Sequence, residues 1–158
     1  MARRWWSRVH DDSGNSLIIV IVYLPMLLAT FGMGFDVARN VYVKHTLQGI
    51  ADQASAAAAF LAAEDSATDT NNWITEETAR DTVMMVVRSS CPEWDDLNQF
   101  SPACGGAFLT EGVGVSVDED AVTVAISAET TNFFLRLAGL NSQEYSVESV
   151  ARLEQPSN

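Results

Sequence analysis

The sequence predicts an α+β protein: a long N-terminal transmembrane helix continuing as an exported stalk, then a small head of helix and antiparallel sheet. Three observations carry this. Residues 13–35 hold no ionisable charge. A helical period then persists to Ala63. Beyond residue 112 apolar residues alternate with small or polar ones, the two-residue period of a half-buried strand. The expected division is a basic leader over 1–12, a transmembrane helix over 13–35, a stalk helix over 36–63 and an extracytoplasmic head over 64–158.

The apolar part of the first element, Leu17 to Phe35, has 19 residues. At 1.5 Å per residue it spans about 28 Å, close to a hydrocarbon core of about 30 Å. Arg3, Arg4 and Arg8 precede it and Asp36 follows. Arginine-rich flanks stay in the cytoplasm, which puts the leader inside and the remainder outside. Trp5 and Trp6 suit the inner interface. Three other readings fit less well. A cleaved secretory signal has a shorter apolar region and a small-x-small site, whereas Ala29-Thr30-Phe31 ends in a bulky residue. A core helix of a soluble protein is seldom apolar on every face. A twin-arginine export signal rests on Arg3-Arg4 alone.

The net charge of −12 divides at this segment. Three arginines against two aspartates give +1 for residues 1–12, and six basic against nineteen acidic residues give −13 for 36–158. An acidic exported part has no cation cluster with which to neutralise phosphates, so nucleic acid is excluded as a partner. A hydrophobic content of 47% excludes intrinsic disorder.

Within the span, Pro25 removes a backbone hydrogen bond and is expected to bend or loosen the helix over Ile21–Pro25. Gly32 and Gly34, with Ala29, leave a thin face where another helix can approach. Past Asp36, the residues Val37, Val41, Lys44, Leu47, Ile50 or Ala51, Ala54, Ala57 or Ala58 and Leu61 fall on one stripe. Its alanines, Ala54 and Ala58 among them, favour helix and close packing. Unbroken, the helix runs from Ser16 to Ala63. Glu64 to Asn72 reads as a solvated loop; its acids lack the spacing of a calcium loop.

A second helix is expected from Thr75 as N-cap, with Glu76 and Glu77 in the first turn, to Ser90 before Cys91-Pro92. Ala79, Val83, Val86 and Val87 supply its apolar face, bordered by Met84 and Met85. Cys91 and Cys104 are the only cysteines, and an exported location makes them a structural disulfide rather than a metal or redox pair. Val113, Val115 and Val117, then Val122, Val124 and Ile126, flank Asp118-Glu119-Asp120 as a β-hairpin. Thr131 to Leu140 reads as a short helix closed by Gly139. Tyr145, Val147 and Val150 suggest a last strand toward Leu153, with a slip in register after Val147.

Catalytic patterns are missing. The sequence has no G-x-S-x-G, H-E-x-x-H, P-loop or dinucleotide-binding glycine motif, and Gly105-Gly106 is too short to cradle a phosphate. No enzyme, no cofactor and no metal site is expected.

Residues 13–63 resemble the N-terminal region of TadE/TadG-like proteins of tight-adherence (Flp-type) pilus systems. The residues that carry the resemblance are Leu24-Pro25, Gly34-Phe35-Asp36 with Arg39, Tyr42, Leu47-Gln48, Ala51-Asp52 and Ala54 to Ala59. Residues 113–153 are similar more loosely. The resemblance implies a pilin-like architecture and a non-enzymatic, membrane-anchored role as a minor pilin-like subunit or assembly factor. Its implied partners are the lipid bilayer and other pilus subunits, met through the span and stalk helix; oligomerisation stays open. It also implies prepilin processing between Gly14 and Asn15, although Ile19 stands where classical pilins carry glutamate. A single-span envelope protein or receptor outside any pilus is the alternative.

Overall fold

The computed structural model describes residues 6–68, 75–94, 99–118 and 121–152, with side chains from residue 16 to residue 62 in the first helix. That helix, α1 (Trp6–Thr68), has 63 residues, about 94 Å at 1.5 Å per residue. It begins ten residues before the expected Ser16 and runs five past Ala63, so Glu64 to Thr68, expected as loop, are its last turn. An alanine-rich segment propagates helix readily, and Glu64, Asp65 and Ser66 include no breaker. Pro25 lies inside it, and the helix continues without interruption through Ile21–Pro25. Arg3, Arg4, Trp5, residues 69–72, Glu119, Asp120 and Leu153 lie outside the described residues. So do the side chains of Trp6, Arg8, Gly14 and Asn15.

The second helix, α2 (Glu76–Ser90), has the expected bounds. Thr75 caps it by accepting the Thr78 N–H at 3.3 Å on its hydroxyl. Ala79, Val83 and Val87 are buried, while Met85 is exposed.

Four antiparallel strands follow in the spatial order of the chain: β1 (Phe100–Ser101), β2 (Ala107–Val117), β3 (Ala121–Thr131) and β4 (Ser142–Arg152). The expected hairpin is β2–β3, but β2 starts six residues before Val113. Two extra residues, Thr110 and Glu111, are inserted between Leu109 and Gly112. Gly112 turns there with φ +84°, a conformation that costs other residues. An insertion of two keeps Leu109 and Val113 on the same face, opposite Ala128 and Ile126. Sequence periodicity lost the strand at this bulge.

The register slip expected after Val147 is absent: β3 and β4 pair continuously from Ala121↔Arg152 to Thr131↔Ser142. The inward residues are Tyr145, Val147, Ser149 and Ala151, and Val150 faces out. Ser149 is inward because it meets α1, where its hydroxyl lies 3.0 Å from that of Ser55. The helix expected over Thr131–Leu140 is shorter. Its first residue ends β3, and only Leu135–Ala138 is helical, as one 3-10 turn closed by Gly139 at φ +87°.

Both helices lie on one face of the sheet, α1 against β3 and β4 and α2 against β2, with α1 and α2 in contact. The core is Val43, Leu47, Ala54 and Ala58 of α1, Val83 and Val87 of α2, and Val122, Val124 and Ile126 of β3. The buried stripe of α1 is therefore Asp36, Asn40, Val43, Leu47, Ile50, Ala51, Ala54, Ala58 and Ala62. This corrects the expected stripe at both ends: Val37 and Val41 are about half exposed, Lys44 is exposed and two polar residues take the inward positions, while at the far end Leu61 is exposed and Ala62 is buried in its place.

Candidate functional site

The candidate site lies where α1 leaves its apolar segment. Below that point the helix is bare: Leu17 to Leu28 are exposed on every face, between 51% and 68% for the large apolar residues. A helix apolar all round and uncovered by the rest of the chain presents a surface suited to lipid or to other apolar helices. Within Ser16–Ala62 it has the length and composition of a single membrane span.

Asp36 is the first residue past this segment, and it is almost fully buried. Its Oδ2 accepts the backbone N–H groups of Phe134 at 2.6 Å and Leu135 at 2.7 Å, and its Oδ1 accepts that of Phe133 at 3.3 Å. These are the free donors at the start of the 3-10 turn, which has no side-chain cap of its own. A carboxylate there completes the turn from another element and is favoured by charge-assisted bonds. Burial pushes the Asp36 carboxyl up, but the three N–H donors and the Arg39 charge outweigh it and hold the group below its ordinary 3.8.

One turn on, Arg39 donates to three carbonyls: Nε to Gly105 at 3.1 Å, Nη2 to Gly106 at 3.1 Å and Nη1 to Thr131 at 3.0 Å. Its guanidinium also lies 5.3 Å from the centre of the Phe133 ring. Gly105 and Gly106 both have positive φ, and a Cβ on Gly106 would stand 2.5 Å from Arg39 Nη2. The glycine pair presents carbonyls to a cation, which is the opposite polarity to a phosphate cradle. Asn40 completes the set. Its Nδ2 donates to Asn132 Oδ1 at 3.0 Å and Gln143 Oε1 at 3.2 Å, and its Oδ1 accepts from Thr130 Oγ1 at 2.9 Å. Asp36, Arg39 and Asn40 thus clasp the 102–106 loop and the turn between β3 and β4.

The disulfide Cys91–Cys104 is formed, with a Cα–Cα distance of 5.8 Å, and both cysteines are buried. It ties the end of α2 to the residue next to Gly105, so it also positions the carbonyls that receive Arg39. Ser101 supports the same loop, donating to Glu93 and accepting the Cys104 N–H.

The remaining expected positions separate. Gly32 is buried, and the group lying over it is the Phe134 ring, 2.2 Å from where a Cβ would be. At this position the thin face receives the protein's own head. Gly34 has open space around it. Ala54 and Ala58 are fully buried in the core, so that stripe is occupied from within the chain. In the sequence Asp36 and Arg39 stand out only as residues that carry the family resemblance, and Asn40, Thr130, Asn132 and Phe134 were missed. An acid, an arginine and an asparagine at spacing 0, 3 and 4 directly after an apolar run was the available signal. Among the described residues no group of three His, Cys, Asp or Glu is placed to hold a metal.

Residues 14–64 match the family model Tad, described as putative Flp pilus-assembly TadE/G-like. The match spans the apolar segment, the clasp residues and most of the α1 core stripe. No curated protein and no solved structure matches the chain.

Proposed function

With residues 14–64 carrying a TadE/G-like pilus-assembly domain, we propose that the protein is a non-catalytic, membrane-anchored component of a tight-adherence pilus assembly. The observation that carries the proposal is a coincidence in α1. In the matched segment the bare apolar part gives way within about one turn, from Gly32 under the Phe134 ring to the buried Asp36, to the surface that docks the head. Such a helix serves as a lipid anchor on one side of Asp36 and as the spine of a folded head on the other. The division is leader 1–12, span 13–35, and beyond it the exported part of α1, which runs on to Thr68 and packs into the head formed with residues 64–158, with the arginines of the leader holding the N-terminus inside.

The protein works as a minor pilin-like subunit or an assembly factor, and Gly14–Asn15 is the candidate processing site. Because Ala54 and Ala58 are used internally, its partners meet exposed surfaces: the span and the outer side of the head. The test is the mass of the mature N-terminus in membrane and sheared-filament fractions. A chain starting at Asn15 in filaments identifies a subunit; an intact leader confined to membranes identifies an assembly factor. A deletion strain with normal piliation and adherence overturns the pilus reading in favour of an envelope protein.

A further inference from the structure

We propose that the turn between β3 and β4, residues 132–141, is a second membrane contact: it dips its apolar side chains into the lipid interface beside the point where α1 emerges. The proposal rests on α1 spanning the bilayer. Four large apolar residues of the turn face outward: Phe133 at 65% exposure, Phe134 at 38%, Leu137 at 77% and Leu140 at 57%. Among the described residues of the head, no other stretch of eight collects so many exposed large apolar side chains. Phe134 packs one side of its ring on Gly32 and Phe133 lies under the Arg39 guanidinium, but Leu137 and Leu140 and the outer sides of both rings remain uncovered, and an aqueous surface penalises them.

Their level along α1 identifies what covers them. The Phe134 ring lies on Gly32, inside the apolar segment and one turn before Asp36. Four residues at 1.5 Å put that ring about 6 Å toward the membrane interior from Asp36, the depth at which interfacial segments bury their apolar face. The patch is therefore continuous with the bare helix, whose own apolar surface begins at Phe35 and Phe31, 61% and 71% exposed. Charge agrees. Residues 130–142 contain no acid although residues 36–158 carry −13, and the one cation among them, Arg136, is exposed beside Leu137 where it can meet lipid phosphate. The clasp holds this geometry: Asp36 on the three N–H groups of the turn and Arg39 on Thr131 keep the loop pressed against the helix at one height.

The test uses the full chain in vesicles of phosphatidylethanolamine and phosphatidylglycerol. Both native cysteines are bonded to each other, so an introduced cysteine is the single site for a nitroxide label. Labels go at Leu137→Cys and Leu140→Cys in the turn, Leu24→Cys in the span and Met85→Cys on α2. Collision with oxygen and with a water-soluble nickel chelate then reports depth. The expected result is a several-fold loss of nickel accessibility at 137 and 140 relative to 85, approaching the value at 24. Labels at 137 and 140 as accessible as at 85, with 24 protected, overturn the lipid contact and leave the span intact. Accessibility at 24 as well overturns the spanning reading and this proposal with it. Dipolar broadening between labels at 137 assigns the patch to a second copy of the chain and overturns the lipid contact.

Discussion

Replacing Asp36 by alanine removes the acceptor of three backbone N–H groups while leaving the donors in place. Two of those bonds are short and charge-assisted, on Oδ2 at 2.6 and 2.7 Å, and the third is long at 3.3 Å. A hydrogen bond to a charged group contributes about 1.5–3 kcal/mol, and a stranded buried donor costs a similar amount. The turn can relax toward its surroundings because Phe134 is about one-third exposed, so values near the lower limit apply. About 3–4 kcal/mol is expected for the alanine variant, and about 1–2 kcal/mol for Asp36→Asn, which keeps one acceptor oxygen but loses the charge. At tenfold per 1.4 kcal/mol, amide hydrogen exchange at residues 134 and 135 should speed up about a few hundred-fold in Asp36→Ala and about tenfold in Asp36→Asn. The measurement is exchange on the full chain in lipid nanodiscs, with the β2–β3 hairpin amides as an internal reference. Equal protection at 133–135 in wild type and alanine variant refutes the clasp. The acid side gives a second reading. The folded carboxyl titrates below its ordinary 3.8, so its stabilisation is complete above that value and is lost as pH falls through the folded value. Asp36→Asn should lower stability at neutral pH and remove Asp36's share of the acid-side dependence, leaving that of Asp52, which Ser149 and Gln48 also hold below its ordinary value.

Four further outcomes follow from the same contacts. Arg39→Lys gathers its donors on one nitrogen, which cannot span three carbonyls met by three separate nitrogens of the guanidinium, and should cost the head about 2 kcal/mol by denaturant titration, because two of its bonds are lost. Gly32→Ala places a Cβ against the Phe134 ring and should displace the turn at a cost of about 1–2 kcal/mol, whereas Gly34→Ala, with open space, should leave exchange at 133–135 unchanged. Cys104→Ser should destabilise the head by about 3 kcal/mol, measured by denaturant titration with and without reductant. Ala54→Glu buries an unpaired charge in the core between α1, α2 and the sheet, so protease resistance of the head should be lost while membrane insertion persists.

Much of this fold was legible because its signals are local. The uncharged run from Ser13 to Phe35, the cap at Thr75 and the alternating valines of 113–117 and 122–126 each depend on neighbours within one or two turns. The misreadings came where a distant element decides. Val37 and Val41 look like the core face until Asp36 and Asn40 are seen to have partners about ninety residues away. Ser149 breaks the apolar alternation of β4 because Ser55 stands opposite, which imitated a register slip. The bulge at Gly112 hid the first half of β2 for the same reason: its pairing with β3, not its own composition, makes it a strand.

By itself, then, the sequence determined the apolar helical segment, the charge asymmetry on its two sides, the cysteine pair and the class of the head, since hydropathy, charge and short-range periodicity are properties of consecutive residues. Only the tertiary structure decided what Asp36, Arg39 and Asn40 are for. A buried carboxylate or guanidinium is tolerable only when its hydrogen bonds are completed, and the donors and acceptors that complete these come from loops brought to the helix by folding. The same closure sets the 132–141 turn at the level of Gly32, a height that no reading along the chain contains.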